Sequence, residues 1–276
     1  MACADCFRGN IHEGQPKGEV GNVHGLDTYI SRPPKGTQSR GIIVIIPDAF
    51  GWKFGNNRLL ADNYAEKGDF TVYLPDFMNG HAAPLRMFDH GRAFSTSSNI
   101  LTKMSVRFYH VFWAVLDIIP FFYYCNPGKT FPVVKGFFEQ LRKDEGATQP
   151  IGAAGFCWGG KHVVLLSHGH EIDGKPLLDA GFTAHPSILS IPSDIQKIQR
   201  PVSFALAAKD DQISPAKAEK VKAIVEALPS PATGEAYVIP GTGHGFAVRA
   251  DLTKDDVAAQ AARAEDQSVD WFEKHF

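Results

Sequence analysis

Cys157 stands in the run Ile151-Gly-Ala-Ala-Gly-Phe-Cys-Trp-Gly-Gly160, a short apolar stretch that ends in Gly-x-Cys-x-Gly. A helix-like segment, 161–167, follows directly. This is the layout of a nucleophile elbow, with cysteine where serine is commoner. A strand that turns sharply into a helix holds its nucleophile in a strained conformation, and neighbouring elements pack close against the turn. Gly155 and Gly159 leave room for that approach, and Gly160 lets the helix start tightly. The thiol then lies beside the positive end of a helix, which favours a thiolate and a developing oxyanion. Alone, the motif also fits a buried cysteine acting as a small hydrophobe. The rest of a nucleophilic site has to be found elsewhere in the chain.

A carboxylate and a histidine complete it. Lys209-Asp-Asp-Gln-Ile-Ser-Pro215 follows an apolar strand at 201–208 and precedes a helix whose apolar face is Val221, Ile224, Val225 and Leu228. Ser214 and Pro215 start that helix with a cap residue and a proline in its first position. An acid just past a strand is where the orienting carboxylate of a catalytic triad sits. The Asp-x-x-x-Pro spacing selects Asp211, with Asp210 as the alternative. His244 lies between glycines in Pro240-Gly-Thr-Gly-His-Gly-Phe-Ala-Val-Arg249, on a loop beyond the strand 235–239. The chain order nucleophile, acid, histidine, each just after a strand, is that of α/β-hydrolases. The chemistry expected is acyl transfer, with His244 taking the Cys157 proton and Asp211 fixing the imidazole.

Strands and helices must position these residues. Gly41-Ile-Ile-Val-Ile-Ile46 is β-branched, as in a central parallel strand buried on both faces. It stops at Pro47-Asp-Ala-Phe-Gly51, where open α/β sheets bind ligands. Asp48 there is either a substrate- or thiol-facing carboxylate or a turn residue. Further strands are expected at 26–31, 70–74 and 180–184, and helices at 58–67, ended by Gly68, and 132–143. Thr253-Lys-Asp-Asp256 resembles a capping box opening a terminal helix. Residues 13–25 read as irregular.

Residues 77–131 interrupt the rhythm with a long aromatic run, 108–124. Arg107, His110, Asp117 and Pro120 fall within it or beside it and argue against a membrane span. The insertion reads as a lid whose aromatic side chains line an apolar pocket, the alternative being plain core packing.

The whole chain bounds the partners. With 276 residues and 44% apolar content a full core is available. A net charge of −2 without charged blocks excludes nucleic acid or an anionic membrane as main partner. Four scattered cysteines make no disulfide framework, and the first ten residues lack a signal-peptide pattern, which points to the cytosol. Cys3-x-x-Cys6 has no second pair and reads as part of an N-terminal arm, 1–25. His162, His168 and His170 form no tight cluster with acids and are read as core or solvent histidines, so no metal is expected.

From about residue 18 to 276 the chain resembles the dienelactone hydrolase (carboxymethylenebutenolidase-like) family, in its fungal type. The resemblance rests on Gly155-Phe-Cys-Trp-Gly-Gly160, Asp211-Gln-Ile-Ser-Pro215, His244-Gly-Phe-Ala-Val-Arg249 and Pro47-Asp-Ala-Phe-Gly51. It implies one α/β-hydrolase domain over 1–276, a mostly parallel sheet flanked by helices with the lid-like insertion at about 77–131. It also implies hydrolysis of a lactone or carboxylic ester through a Cys-His-Asp triad and a thioester acyl-enzyme. No metal or organic cofactor is required. The oxyanion would be held by backbone N–H groups of Trp158 and of Ala49 or Phe50.

Substrate-facing positions by the same resemblance are Asp48, Phe50, Trp158 and Arg249, joined by His81, Phe121 and Tyr124 of the insertion. Bacterial members carry a glutamate at the place of Asp48 that holds the thiol neutral until substrate binds. Of their two carboxylate-binding arginines, Arg249 is a near match, and the other has none within 75–81. With the long insertion, this implies a larger or less acidic substrate than dienelactone. The expected partner is a small-molecule ester or lactone, and the chain a monomer or homodimer. Two other readings stay open: a non-catalytic small-molecule-binding protein of the same fold, and a thiol redox protein using Cys3, Cys6 or Cys125 as resolving cysteine.

Overall fold

Ile42–Ile46 consists of β-branched residues alone and is buried at every position, as a strand covered on both faces must be. In the computed structural model this strand lies at the centre of the molecule. The structure describes residues 9–93 and 100–276, with side chains described at 9–90 and 109–276. Cys3 and Cys6 lie outside the described residues.

In chain order the elements are β1 (Glu19–Val23), β2 (Leu26–Ser31), β3 (Ile42–Ile46), α1 (Gly55–Gly68) and β4 (Thr71–Pro75). Then come α2 (Met87–Ala93), α3 (Ile100–Tyr124), α4 (Pro127–Lys143), β5 (Ile151–Phe156) and α5 (Trp158–Leu166). A small hairpin, β6 (Glu171–Ile172) and β7 (Lys175–Pro176), precedes β8 (Ala180–Ala184) and β9 (Val202–Lys209). The chain closes with α6 (Pro215–Glu226), β10 (Gly234–Gly243) and α7 (Asp255–His275).

The main sheet runs β1-β2-β4-β3-β5-β8-β9-β10. The pairs from β4 to β10 are parallel, and β1 and β2 add an antiparallel edge. After β3 the chain first goes to β4 on one side and later to β5 on the other. The carboxyl ends of β3 and β5 therefore border the crevice where the strand order reverses, the usual ligand site of an open α/β sheet.

The sheet is covered on both faces, and β9 shows it residue by residue. Val202, Phe204 and Leu206 join Val221 and Val225 of α6 in one apolar cluster, while Ala205 and Ala207 face the larger core. This period of two is that of a strand buried on both sides.

Three local expectations are corrected. Residues 19–23 form a strand rather than irregular structure, because Val23 and Leu26 close a tight hairpin with Asn22 accepting from the Gly25 N–H. The Thr253 hydroxyl donates to Asp251 instead of capping α7, so no capping box forms and Lys254 is the cap residue. Helix α4 starts at Pro127 rather than 132, because Asn126 caps it by accepting from the Gly128 N–H.

The segment 77–131 holds α2 and α3. Along α3 a stripe made of Asp117, Ile118, Phe121 and, just past its end, Cys125 is buried against the body of the protein. Asp117 is gripped by Arg86 through Nε at 2.6 Å and Nη2 at 2.5 Å. No described helix is long and apolar enough to cross a membrane.

Candidate active site

The site is assembled from the loops that leave β3, β5, β8, β9 and β10. At the end of β5 the backbone of Cys157 takes φ 52° and ψ −109°, a strained conformation for a side-chain-bearing residue. The strain follows from the need to turn from strand to helix within one residue, with α5 beginning at Trp158. Gly159 is obligatory on steric grounds, since a Cβ there would lie 1.9 Å from the Ile46 carbonyl oxygen of β3. The Cys157 carbonyl accepts from Ser187 N–H at 2.9 Å, and the Ser187 hydroxyl oxygen lies 3.8 Å from Sγ.

His244 reaches the sulfur from the loop after β10. Its Nε2 is 3.0 Å from Cys157 Sγ. Its Nδ1 lies 3.0 Å from each carboxylate oxygen of Asp210, so Nδ1 carries a proton and Asp210 accepts it. Both Asp210 and His244 side chains are sealed from solvent. Burial opposes a charge on His244, but the Cys157 sulfur and the Asp210 carboxylate outweigh it and raise the imidazole above its usual range.

The acid that meets His244 is Asp210, not Asp211. Asp211 is exposed, one residue further round a turn in which Asp210 accepts from the Gln212 N–H at 2.7 Å. The turn buries Asp210 and leaves Asp211 exposed, and the Asp-x-x-x-Pro count misses by one.

Asp48 and Arg249 pair with each other. Arg249 Nη1 donates to Asp48 Oδ2, and Asn57 Nδ2 and the Phe50 N–H reach Oδ1 at 3.1 and 3.2 Å. Burial pushes the Asp48 carboxyl up, opposed by Arg249. The guanidinium also lies 5.3 Å from the centre of the Phe50 ring, and Phe50 stacks on Phe88 at 4.4 Å. Gly245, at φ +88°, lets Arg249 fold back, since a Cβ there would meet Nη2 at 2.3 Å.

The remaining predicted residues lie around the end of α3. Trp158 is buried and its indole N–H donates to the Cys125 carbonyl at 2.7 Å, which ties the end of α3 to the elbow. Phe121 packs edge-on to Trp158, with ring centres 6.4 Å apart. His81 stacks on Tyr124 at 3.8 Å, with Tyr124 half exposed. Cys125 is buried, and burial pushes its thiol up to about 12. His162 bonds the Thr130 hydroxyl at 2.9 Å beneath Trp158, as a core histidine.

His185 and Asn57 were not singled out by sequence reasoning. His185 follows β8, is fully buried at φ 38°, and stands edge-on to His244 with ring centres 5.1 Å apart. Burial, then the neighbouring His244 charge, lowers it well below the usual histidine range, so it is neutral. Its signal was its place, one residue past a parallel strand. One group of metal-capable side chains, His24, Asp144 and Glu145, occurs among the described residues, and it includes none of the residues around Cys157.

Comparison with known proteins fits this geometry. The chain is 32% identical over 273 residues to hydrolase tropI of Talaromyces stipitatus, covering 98% of this chain and 95% of that one. It is 29% identical to hydrolase pyvD of Aspergillus violaceofuscus, with 98% and 95% covered. A solved structure of a putative dienelactone hydrolase from Klebsiella pneumoniae superposes with a TM-score of 0.61 at 17% identity, covering 91% of this chain and 95% of that one. The model of the dienelactone hydrolase family matches residues 26–276, and the chain belongs to that family.

Proposed function

We propose that Cys157, His244 and Asp210 act as a nucleophile, base and orienting acid in the hydrolysis of a small lactone or ester through a thioester intermediate. Family membership makes the chain a hydrolase of the ester or lactone type. One observation carries the finer reading: His244 lies 3.0 Å from the elbow sulfur by one nitrogen and 3.0 Å from Asp210 by the other, in a buried site.

In the first step Cys157 sulfur attacks the acyl carbon while the proton of the thiol resides on His244. The carbon–oxygen bond of the ester breaks, and the leaving alcohol takes the proton from His244. Water then attacks the thioester, gives a proton to His244, and releases the acid and the thiol. Asp210 holds the imidazole with Nε2 toward sulfur throughout and stabilises its positive form. The oxyanion is assigned to the backbone N–H groups of Trp158 and Ala49. Ala49 is preferred over Phe50 because the Phe50 N–H is directed to the Asp48 carboxylate. The α2–α3 segment serves as a lid, with the buried Phe121 on its inner side and the His81–Tyr124 stack at its exposed edge. A nucleophilic thiol also suits a reducing compartment such as the cytosol.

The test is hydrolysis of a panel of small esters and lactones, including p-nitrophenyl acetate, by wild type and Cys157→Ala, with intact mass recorded during turnover. Acyl adduct on the wild type and loss of activity in the variant are expected. Unchanged activity in Cys157→Ala would exclude the proposed nucleophile.

A further inference from the structure

Over its described side chains, 109–124, helix α3 is apolar on two opposite sides, and among these residues only one side is buried. The buried stripe faces the protein through Ile118 and Phe121. On the other side Tyr109, Phe112, Leu116, Ile119 and Tyr123 are each between 43% and 62% exposed. Their spacing is three, four, three, four, which at 3.6 residues per turn places all five in one seam about 180° from the buried stripe. A helix that is apolar all round is one that is covered all round.

The extent of the seam fits a protein partner. With the apolar side chains flanking it, the exposed patch is on the order of 1,000 Å², above the few hundred Å² usual for the surface of a monomer. A standard protein interface takes roughly 800 Å² from each partner. The pattern of three and four is also that of helices packing side by side with interleaved side chains.

A lipid surface is the less favoured occupant. Interfacial helices gain from cations free to meet headgroups at their edges, and the two described cations closest to α3, both exposed, are already engaged by groups of the helix. Arg86 is held by Asp117, and Lys129 folds over the Tyr123 ring at 3.6 Å while donating to the Tyr123 carbonyl.

We propose that this seam binds a second copy of the chain, α3 against α3 about a two-fold axis near Leu116. Leu116 is the midpoint of the seam: it lies seven residues from Tyr109 and seven from Tyr123. An antiparallel pair centred there is self-complementary, as an isologous contact requires. Because α3 also leans on Trp158 through Phe121, the partner would brace the same helix that borders the elbow.

Sedimentation velocity across a wide concentration range tests the idea. The wild type is expected to sediment at twice the mass of one chain, and Leu116→Glu at the mass of one, with an unchanged circular dichroism spectrum. The axis has a second test that does not depend on disruption. Leu116→Cys, mildly oxidised, is expected to give a disulfide-linked dimer that wild type treated alike does not give. A wild type that stays monomeric throughout, a dimer indifferent to Leu116→Glu, or Leu116-dependent co-sedimentation of a monomer with phosphatidylcholine vesicles would each overturn the proposal.

Discussion

Asp48 and Arg249, 201 positions apart in the chain, form an ion pair from which solvent is excluded. The pair links the loop after β3 to the loop after β10, the two loops that lie on either side of the Cys157 elbow. Each side chain was expected to face substrate, and each is engaged by the other. Taking two charges out of water is costly, and the pair persists because Asn57 and the Phe50 N–H also bond the carboxylate.

Removing one partner should therefore be worse than removing both. Arg249→Met leaves a buried carboxylate without its cation and is expected to lower stability by about 3–5 kcal/mol in urea titrations. The double variant Asp48→Asn/Arg249→Met should recover part of that loss. Strictly additive losses would show that the two residues contribute separately.

Asp210 and Asp211 are neighbours with opposite expected effects. Asp210→Asn keeps the shape but offers the wrong group to Nδ1, and a fall in kcat of about 10⁴ is expected from comparable triads. Asp211→Asn, at an exposed position, should stay within about twofold of wild type, as surface changes usually do. Steady-state kinetics on one ester decides it, and the reverse pattern would return the role to Asp211.

The 3.0 Å contact between the Cys157 sulfur and the His244 imidazole predicts a pH signature. His244 is raised above its usual range by the Cys157 sulfur and Asp210, so it keeps its proton past neutrality. The thiolate opposite it should be alkylated by iodoacetamide well below the ordinary thiol pKa of about 8.5. In His244→Asn the rate at neutral pH should drop, and its rise should move up toward that ordinary value. Peptide mapping separates Cys157 from Cys125, whose buried thiol, pushed up to about 12, should stay unmodified. An identical profile in the variant would mean that His244 does not govern the thiol.

Much of this was legible because strands and tight turns write themselves in local residue types. The run of isoleucines in β3 and the glycines around Cys157 each state a burial or steric demand at one place. So did His244, since a histidine between glycines past a strand has few other uses. The one-residue error at Asp210 arose because the side-chain direction in a turn depends on hydrogen bonds such as that from Gln212, which residue spacing does not record. The Asp48–Arg249 pairing and the approach of His185 to His244 were hidden for a different reason. Each joins loops that only the assembled sheet brings together.

His162 gives a stability prediction with a definite sign. It is fully buried under Trp158, and burial, partly offset by the Trp158 carbonyl, lowers its pKa to about 4. The folded protein thus holds it neutral while the unfolded chain binds a proton near the ordinary value of about 6.5. Between those two values the unfolded state carries more protons, so stability falls as pH is lowered through that window and is flat above it. The full loss at the acid end is on the order of 3 kcal/mol, with the neutral His185 acting in the same direction. His162→Gln removes the titrating group but can still meet the Thr130 hydroxyl. Urea titrations at neutral pH and at about pH 4.5 should show a smaller acid penalty in the variant than in the wild type. An equal penalty in both proteins would mean that His162 is already protonated in the folded state, or that it is not what the acid side titrates.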